Sequence, residues 1–219
     1  MCGRYTLYHD EEDLTELLGL DSFAWSPRYN IAPTQVVPIV RVRGGVRERH
    51  DARWGLVPGW AKDPAAFRAL LFNARSETVA EKPAFRDAAR RARCVLPASG
   101  FYEWRPEQAG AKQPYYVRRR DGAPLVLAGL YAERPGTEVA FSATILTTRP
   151  NETMAELHER MPVVLDPRDA RRWLDPDTTD PASVQDLLVP CPAEWLESYP
   201  VDRAVGRVHV DDPRLVQRV

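Results

Sequence analysis

Short apolar runs, several of them alternating with polar residues, recur along most of the chain and predict a β-rich fold. A glycine pair at 44–45 predicts a tight turn between the first two strands. The polar segment 107–113 predicts a hairpin loop, and the segment 22–33 is typical of a loop. The predicted strands cover 36–43, 46–53, 94–97, 101–104, 115–119, 125–131, 139–147, 161–165 and 205–210.

Helical periodicity is limited to short segments around these strands. Apolar residues share one face of a predicted helix over 10–20, which has an acidic first turn and a glycine near its end. Asp166-Pro167 and Asp180-Pro181 each place a capping side chain before a proline at the first helical position. The further helical candidates are 83–93, 167–174, 181–189, a turn within 151–159, and 63–70 as a loop or short helix.

Together these patterns predict an α+β fold. We expect a single domain over 1–219, with a mainly antiparallel, barrel-like β core and peripheral helices. The chain has 219 residues, of which 44 % are hydrophobic and 28 % charged, as in ordinary globular proteins.

Charge and cysteine content narrow the function classes. A net charge of −1 argues against nonspecific coating of nucleic acid, so any such contact must come from a local arginine cluster. Cys2, Cys94 and Cys191 have unrelated spacings, which indicate neither a disulfide framework nor a zinc site. There is no membrane-spanning apolar run and no signal-peptide pattern. We therefore expect a cytoplasmic protein that uses no metal and no cofactor.

The N-terminus carries the most specific chemical possibility. The small side chain at position 2 favours removal of Met1, after which Cys2 carries an α-amine and a thiol two carbons apart. Such a 1,2-aminothiol condenses with an aldehyde to an imine, and addition of the thiol then closes a thiazolidine ring. The reference pKa of an α-amine is about 7.7–8.0, so part of it is neutral near pH 7.

Three more polar residues lie in apolar or aromatic surroundings. Glu103 stands between Tyr102 and Trp104, where a buried carboxylate suits proton transfer, but strand alternation equally allows it to face solvent. Asn73 is either a turn residue or part of a site, and His158 is either a surface histidine or part of the same site. The pattern alone leaves these alternatives open.

Two further groups are equally open. Four aromatic residues either belong to the core or form a surface on which the bases of a single strand stack. Three arginines neighbour the polar candidates and either contact phosphate or are solvated. The aromatic residues are Trp54, Trp60, Tyr102 and Trp104, and the arginines are Arg4, Arg75 and Arg160.

A series of sequence blocks in one order resembles the SRAP (SOS response-associated peptidase) family of abasic-site processing proteins. Among them are Met-Cys-Gly-Arg-Tyr at 1–5, Tyr-Asn-Ile-Ala-Pro at 29–33 and Trp-Gly-Leu-Val-Pro-Gly-Trp at 54–60. The others are Asn-Ala-Arg-Ser-Glu-Thr at 73–78, Gly-Phe-Tyr-Glu-Trp at 100–104, Thr-Thr at 147–148, His-Glu-Arg-Met-Pro-Val-Val-Leu at 158–165 and Val-Gly at 205–206. The resemblance spans nearly the whole chain.

The resemblance implies a small, largely β protein that senses abasic sites in single-stranded DNA and shields them in the DNA damage response. It implies that Cys2 forms a covalent thiazolidine cross-link after loss of Met1, with Asn73, Glu103 and His158 around it as catalytic residues. The implied DNA-binding residues are Arg4, Pro33, Trp60, Arg75, Thr147 and Arg160. The implied partner is single-stranded DNA with an abasic site, including single-strand/double-strand junctions. We expect a monomer that is associated with the nucleoid when it is bound to DNA.

One position departs from the family pattern. Some bacterial members have two adjacent tryptophans where this chain has Trp60 and Ala61. Phe67, Leu70 and Leu71 in the following segment are candidates to replace the missing apolar wedge.

Two other functions compete with this interpretation. The first is an N-terminal-nucleophile cysteine peptidase that acts on its own Met1–Cys2 bond or on peptides, with Asn73, Glu103 and His158 assisting. The second is a noncovalent single-strand binding module, whose binding is salt-sensitive and indifferent to abasic sites. An AP-lyase side activity is also compatible with the sequence.

Overall fold

The computed structural model describes residues 2–61, 63, 67, 69–107, 110, 112–136 and 140–219. Two β-sheets form its framework. The first sheet has five strands in the order β13-β8-β7-β1-β2, all antiparallel. Its strands are β1 (Tyr5–Leu7), β2 (Arg28–Ile31), β7 (Gly100–Pro106), β8 (Lys112–Arg119) and β13 (Leu196–Pro200).

The second sheet has eight strands. They are β3 (Val36–Arg43), β4 (Val46–Trp54), β5 (Asn73–Arg75), β6 (Arg93–Ala98), β9 (Leu125–Glu133), β10 (Phe141–Thr148), β11 (Met161–Pro162) and β12 (Val164–Leu165). Their order is β11-β10-β4-β3-β6-β9-β12, with β5 paired to β10. Strand β10 runs parallel to β4 and β5, whereas the other pairings are antiparallel.

The larger sheet curls without becoming a true barrel. Strand β10 pairs with both β4 and β9, which brings the two ends of the strand order together. However, β3 and β6 are joined by the single register pair Val40–Val95. The predicted α+β fold with a mainly antiparallel core is confirmed, and its β core is two open sheets.

Short helices lie outside the sheets. The α-helices are α1 (Glu11–Leu18), α2 (Arg86–Arg91), α3 (Glu152–Ala155) and α4 (Pro167–Leu174). In the part of the chain that the structure describes, the 3-10 helices are Pro181–Leu187, Ala193–Trp195, Arg203–Gly206 and Pro213–Val216. As the sequence predicts, Asp166 caps α4 and Gly19 ends α1 with φ 61°. Asp10, which lies inside the predicted helix 10–20, is instead the N-cap of α1.

Several element predictions need correction. The predicted strand 205–210 is wrong: the chain forms a 3-10 turn there, because the Asn30 amide binds the carbonyls of Val205, Arg207 and Val210. The loop predicted over 22–33 contains β2, which pairs with β1. The predicted strand 161–165 is split between β11, which pairs with β10, and β12, which pairs with β9. In the predicted segments 63–70, 107–113 and 139–147, residues 64–66, 68, 108, 109, 111 and 139 lie outside the described residues.

The core lies between the sheets and under α1 and α4. Tyr5, Trp54 and Trp173 are among its largest fully buried side chains. The Tyr5 and Trp54 rings meet edge to face, with centroids 5.1 Å apart, so the first strand is packed directly onto the end of β4. In the part of the chain that the structure describes, no helix is long and apolar enough to cross a membrane.

Candidate functional site

Cys2 lies in the core, just before the start of β1. Its side chain is fully buried, and its Sγ atom lies 4.0 Å from the Arg4 carbonyl oxygen. Strand β1 is held between β2 and β7, with Tyr5 opposite Ile31 on one side and Phe101 on the other. The N-terminal segment is therefore fixed by strand pairing on both sides, which is unusual for a chain terminus.

Asn73 reaches Cys2 from the other sheet. It begins β5, where it pairs with Ile145 of β10. Its Nδ2 atom donates a hydrogen bond to the Cys2 carbonyl oxygen over 2.8 Å. The alternative that Asn73 is only a turn residue is therefore wrong, because its side chain is directed at the N-terminal residue.

Glu103 approaches Cys2 from β7. Its side chain is only 4 % exposed, so the solvent-facing alternative is wrong. The reason is that β7 is an inner strand, between β1 and β8, and its neighbours Phe101 and Tyr102 are fully buried as well. The Glu103 Oε1 atom accepts a hydrogen bond from the Trp104 backbone N–H over 3.3 Å.

The Cys2 thiol is strongly affected by this environment. Burial raises the pKa of Cys2 to about 12, and the negative charge of Glu103 acts in the same direction. A thiol with such a pKa is protonated at neutral pH. Nucleophilic chemistry at Cys2 therefore requires a base that accepts the thiol proton, and the Glu103 carboxylate is close enough to influence that proton electrostatically.

His158 and Arg160 lie in the turn between α3 and β11. The His158 Nδ1 atom accepts a hydrogen bond from the Arg160 backbone N–H over 3.0 Å, which fixes the ring orientation and leaves Nε2 as the nitrogen that carries the proton in the neutral ring. His158 is half-buried. The Arg160 guanidinium donates to the Thr147 carbonyl oxygen over 2.6 Å and forms an ion pair with Glu77.

The other arginines named by the sequence differ in exposure. Arg75, at the end of β5, is exposed. Arg4 is half-buried, and its Nη1 atom donates to Asn30 Oδ1 over 2.7 Å and to the Val205 carbonyl oxygen over 2.6 Å. The Arg4 guanidinium also lies 5.9 Å from the centroid of the Trp104 ring. Arg4 thus ties the N-terminal segment to the C-terminal one.

The aromatic candidates separate into core and surface. Trp54 and Tyr102 are fully buried, so they belong to the core. Trp104 is half-buried beneath Arg4. Trp60 is 58 % exposed, and its ring meets Phe67 edge to face with centroids 6.0 Å apart.

Some other candidates from the sequence have less specific surroundings. Pro33 is half-buried in the turn after β2 and precedes Thr34, whose φ of 76° is rare for a β-branched residue. Leu70 is 61 % exposed, whereas Leu71 packs against the core. Ala61 is buried.

Two residues of the site were not singled out from the sequence. Glu77 forms an ion pair with Arg160, and the Asn30 side-chain amide donates a hydrogen bond to the carbonyl oxygen of Val205. Both occur within the sequence blocks at 73–78 and 29–33, so block membership was the available signal. Nothing in a single sequence shows which block residues face each other.

The candidate site therefore has two parts. Where the two sheets join, it contains Cys2, Asn73 and Glu103. Around the ends of β5 and β10 lie four further residues: Arg75, Glu77, Thr147 and Arg160. Among the described residues, no group of three or more His, Cys, Asp or Glu side chains is placed to hold a metal ion. The arrangement combines a thiol, a neutral amide and a buried carboxylate, which suits proton-coupled addition chemistry.

Comparison with known proteins places this chain in a family. The profile of SRAP (SOS response associated peptidase) matches residues 1–208. The abasic site processing protein YoqW of Bacillus subtilis is 37 % identical over 223 residues, covering 99 % of each chain. The abasic site processing protein YedK of Escherichia coli is 31 % identical over 230 residues, covering 100 % of each. The abasic site processing protein HMCES of Gallus gallus is 31 % identical over 222 residues, covering 86 % of this chain and 65 % of that protein.

Solved structures agree with this placement. A protein of Bacteroides thetaiotaomicron superposes with a TM-score of 0.87 at 26 % identity, covering 100 % of both chains. A phage-related protein of Bordetella bronchiseptica superposes with a TM-score of 0.76 at 31 % identity, covering 92 % of this chain and 95 % of that one. Since the family profile matches almost the whole sequence and relatives above 30 % identity align end to end, the chain belongs to the SRAP family.

Proposed function

We propose that this protein processes abasic sites in single-stranded DNA by forming a thiazolidine cross-link through Cys2 after Met1 is removed. The abasic site processing relatives support the general activity. The observation that carries the specific proposal is the 2.8 Å hydrogen bond from Asn73 to the Cys2 carbonyl. It brings the strand that contains Asn73 and Arg75 to the one residue whose liberated amine and thiol react with an aldehyde.

The chemistry follows from the aminothiol. The open-chain sugar of an abasic site presents an aldehyde, to which the Cys2 amine adds, and loss of one water gives an imine. The thiol then adds across the C=N bond: a C–S bond forms at the former aldehyde carbon, and the thiol proton ends on the nitrogen. The net reaction releases one water, needs no oxidant or reductant, and breaks no phosphodiester bond.

Glu103 is the proposed proton carrier. Burial raises the pKa of the Cys2 thiol and so favours its protonated form, which means that its addition to the imine requires a base. The Glu103 carboxylate takes this proton and returns it to the nitrogen. Asn73 orients the N-terminal residue without adding charge, and His158 assists opening of the sugar ring by proton transfer at its hydroxyl.

The DNA path in this proposal runs over the ends of β5 and β10. Arg75 is exposed there, and Arg160 lies beside Thr147 on the neighbouring turn. In this proposal Pro33, in the turn after β2, is a further contact to DNA, and Arg4 acts mainly by holding the N-terminal segment to Val205. The exposed Trp60, packed edge to face on the half-buried Phe67, is suited to stack on a base or to wedge a strand junction.

A denaturing gel tests the proposal. Protein lacking Met1 is incubated with a single-stranded oligonucleotide that contains one abasic site, with the undamaged oligonucleotide, and with peptide substrates. We expect a heat-stable adduct with the abasic strand alone, and none with Cys2→Ala. Turnover of peptides without a DNA adduct would contradict the proposal and favour an N-terminal-nucleophile peptidase.

A further inference from the structure

Glu77 occupies one edge of the Arg160 guanidinium. Its Oε1 atom accepts from Arg160 Nη1 over 2.7 Å, and its Oε2 atom accepts from Nη2 over 2.9 Å. This paired, fork-shaped contact is the geometry by which arginine also binds a phosphate group. A carboxylate of the protein thus fills a position that suits a DNA phosphate.

The guanidinium has a second partner besides Glu77. Arg160 Nη2 also donates to the Thr147 carbonyl oxygen over 2.6 Å, and that oxygen accepts from the Ser76 backbone N–H over 2.9 Å. The Arg160 side chain is 13 % exposed, whereas that of Glu77 is 49 % exposed. Glu77 is therefore the outer, displaceable partner, and Thr147 is the inner, fixed one.

The surrounding charge keeps Glu77 ionised. The hydrogen bonds from Arg160 lower the pKa of Glu77, and the positive charge of Arg75 adds a smaller effect in the same direction. The carboxylate therefore offsets part of the positive charge of two arginines that lie on the proposed DNA path. A DNA phosphate that approaches Arg160 meets this negative charge first.

We propose that Glu77 is a specificity-determining residue that holds the outer edge of Arg160 in the free protein and exchanges it for a backbone phosphate of single-stranded DNA. The inference rests on the proposed function, because it takes Arg160 as a phosphate contact. The exchange breaks the Glu77–Arg160 ion pair. Because this loss opposes binding, it weakens the binding of undamaged strands, which are held by phosphate contacts alone. A strand with an abasic site is retained by the covalent step despite this cost.

Binding of undamaged single-stranded oligonucleotide in a Cys2→Ala background tests the exchange, because no adduct obscures the equilibrium. Glu77→Gln is expected to tighten binding about three- to tenfold. It is expected to leave the dependence of log K on log salt nearly unchanged, because Arg160 contacts a phosphate in the complexes of both proteins. Adding Arg160→Ala is expected to remove the gain.

Asp121→Asn is the matched control. Asp121 forms a comparable two-point contact with Arg119 in the turn between β8 and β9, and its substitution removes the same single charge. It is expected to leave binding unchanged. A Glu77→Ala variant repeats the measurement with a side chain that cannot hydrogen bond to Arg160.

Three results would overturn the exchange: unchanged binding in both Glu77 variants, weaker binding in both, or an equal gain in Asp121→Asn. Weaker binding would identify Glu77 as a brace that positions Arg160. The proposed function fails separately, if protein with Cys2 and Glu77 intact forms no adduct with the abasic strand. Normal cross-linking combined with unchanged binding in the Glu77 variants contradicts the exchange alone.

Discussion

The side-chain amide of Asn73 donates a hydrogen bond to the backbone carbonyl of Cys2 over 2.8 Å, and this contact links the two sheets of the protein. Asn73 begins β5 in the larger sheet, and Cys2 leads into β1 in the smaller one. Because the amide is neutral, it contacts Cys2 without the electrostatic effect that a carboxylate would have at this position.

Asn73→Ala is expected to slow adduct formation about tenfold, because a hydrogen bond of roughly 1.4 kcal/mol that orients the N-terminal residue is lost. Binding of undamaged single-stranded DNA is expected to stay within about twofold of the unsubstituted protein, since the exposed arginines are unchanged. Single-turnover gel assays give the rate, and fluorescence anisotropy gives the affinity. An unaltered rate would remove the positioning role from Asn73.

Glu103→Gln is expected to slow closure of the thiazolidine ring by about 10²-fold or more, because the buried thiol loses the base that accepts its proton. The preceding imine, which needs no thiol, is expected to accumulate and to be trapped as a stable amine by borohydride. The measurement compares the adduct with and without borohydride over time. A Glu103→Gln protein that forms the borohydride-independent adduct at the original rate would exclude Glu103 as the base.

Arg75→Ala is expected to weaken single-strand binding about three- to tenfold and to reduce the salt dependence by about 0.7, because one exposed phosphate contact is lost. Arg43→Ala is the matched control. Arg43 pairs with Val46 at the hairpin turn of β3 and β4. Strand β4 extends about 26 Å from this turn to Trp54 at its other end. Arg43 therefore lies far from the end of β4 that pairs with β10. Equal effects of the two substitutions would indicate a nonspecific charge effect and no defined path for the DNA.

Stability is expected to fall as the pH rises above about 9. Burial raises the pKa values of Cys2 and Cys191 from 9.0 to about 12. Above pH 9 the unfolded chain releases these protons while the folded protein retains them. The free energy of unfolding is therefore highest below pH 9 and decreases progressively up to about pH 12. Each thiol contributes a slope of up to about 1.4 kcal/mol per pH unit.

Urea unfolding at pH 8 and pH 10 measures this slope. Cys191→Ser replaces a thiol whose pKa is raised with a hydroxyl that does not titrate in this range. The substitution is therefore expected to reduce the dependence of the unfolding free energy on pH, whatever its effect on stability at pH 8. An unchanged slope would show that Cys191 does not keep its proton in the folded protein.

Periodicity and capping signals predicted the regular elements well. Strand β3 spans 36–43 and helix α4 spans 167–174 as expected, because each depends on local pattern: an apolar strand before a Gly-Gly turn, and an Asp-Pro start. Strands β1, β2 and β5 were not predicted. They are only 3, 4 and 3 residues long, and they form by pairing with strands distant in sequence.

Residue type and family pattern named the residues of the candidate site, but they did not predict its internal geometry. Burial of Glu103 depends on β7 being an inner strand, which alternation within one segment does not show. Some block residues serve packing instead of chemistry: a Cβ atom at Gly100 would lie 2.6 Å from the Val117 carbonyl oxygen. The Glu77–Arg160 pair joins segments that only the fold brings together.

The intact mass of the purified protein, before and after incubation with an abasic single-stranded oligonucleotide, tests the central claim most directly. We expect the protein to lack Met1, and the adduct to have the summed mass of protein and oligonucleotide minus one water. Cys2→Ser is expected to give no adduct that survives denaturation without borohydride, because a hydroxyl replaces the thiol that closes the ring. No adduct with Cys2 present, or an equally stable adduct with Cys2→Ser, would contradict the account.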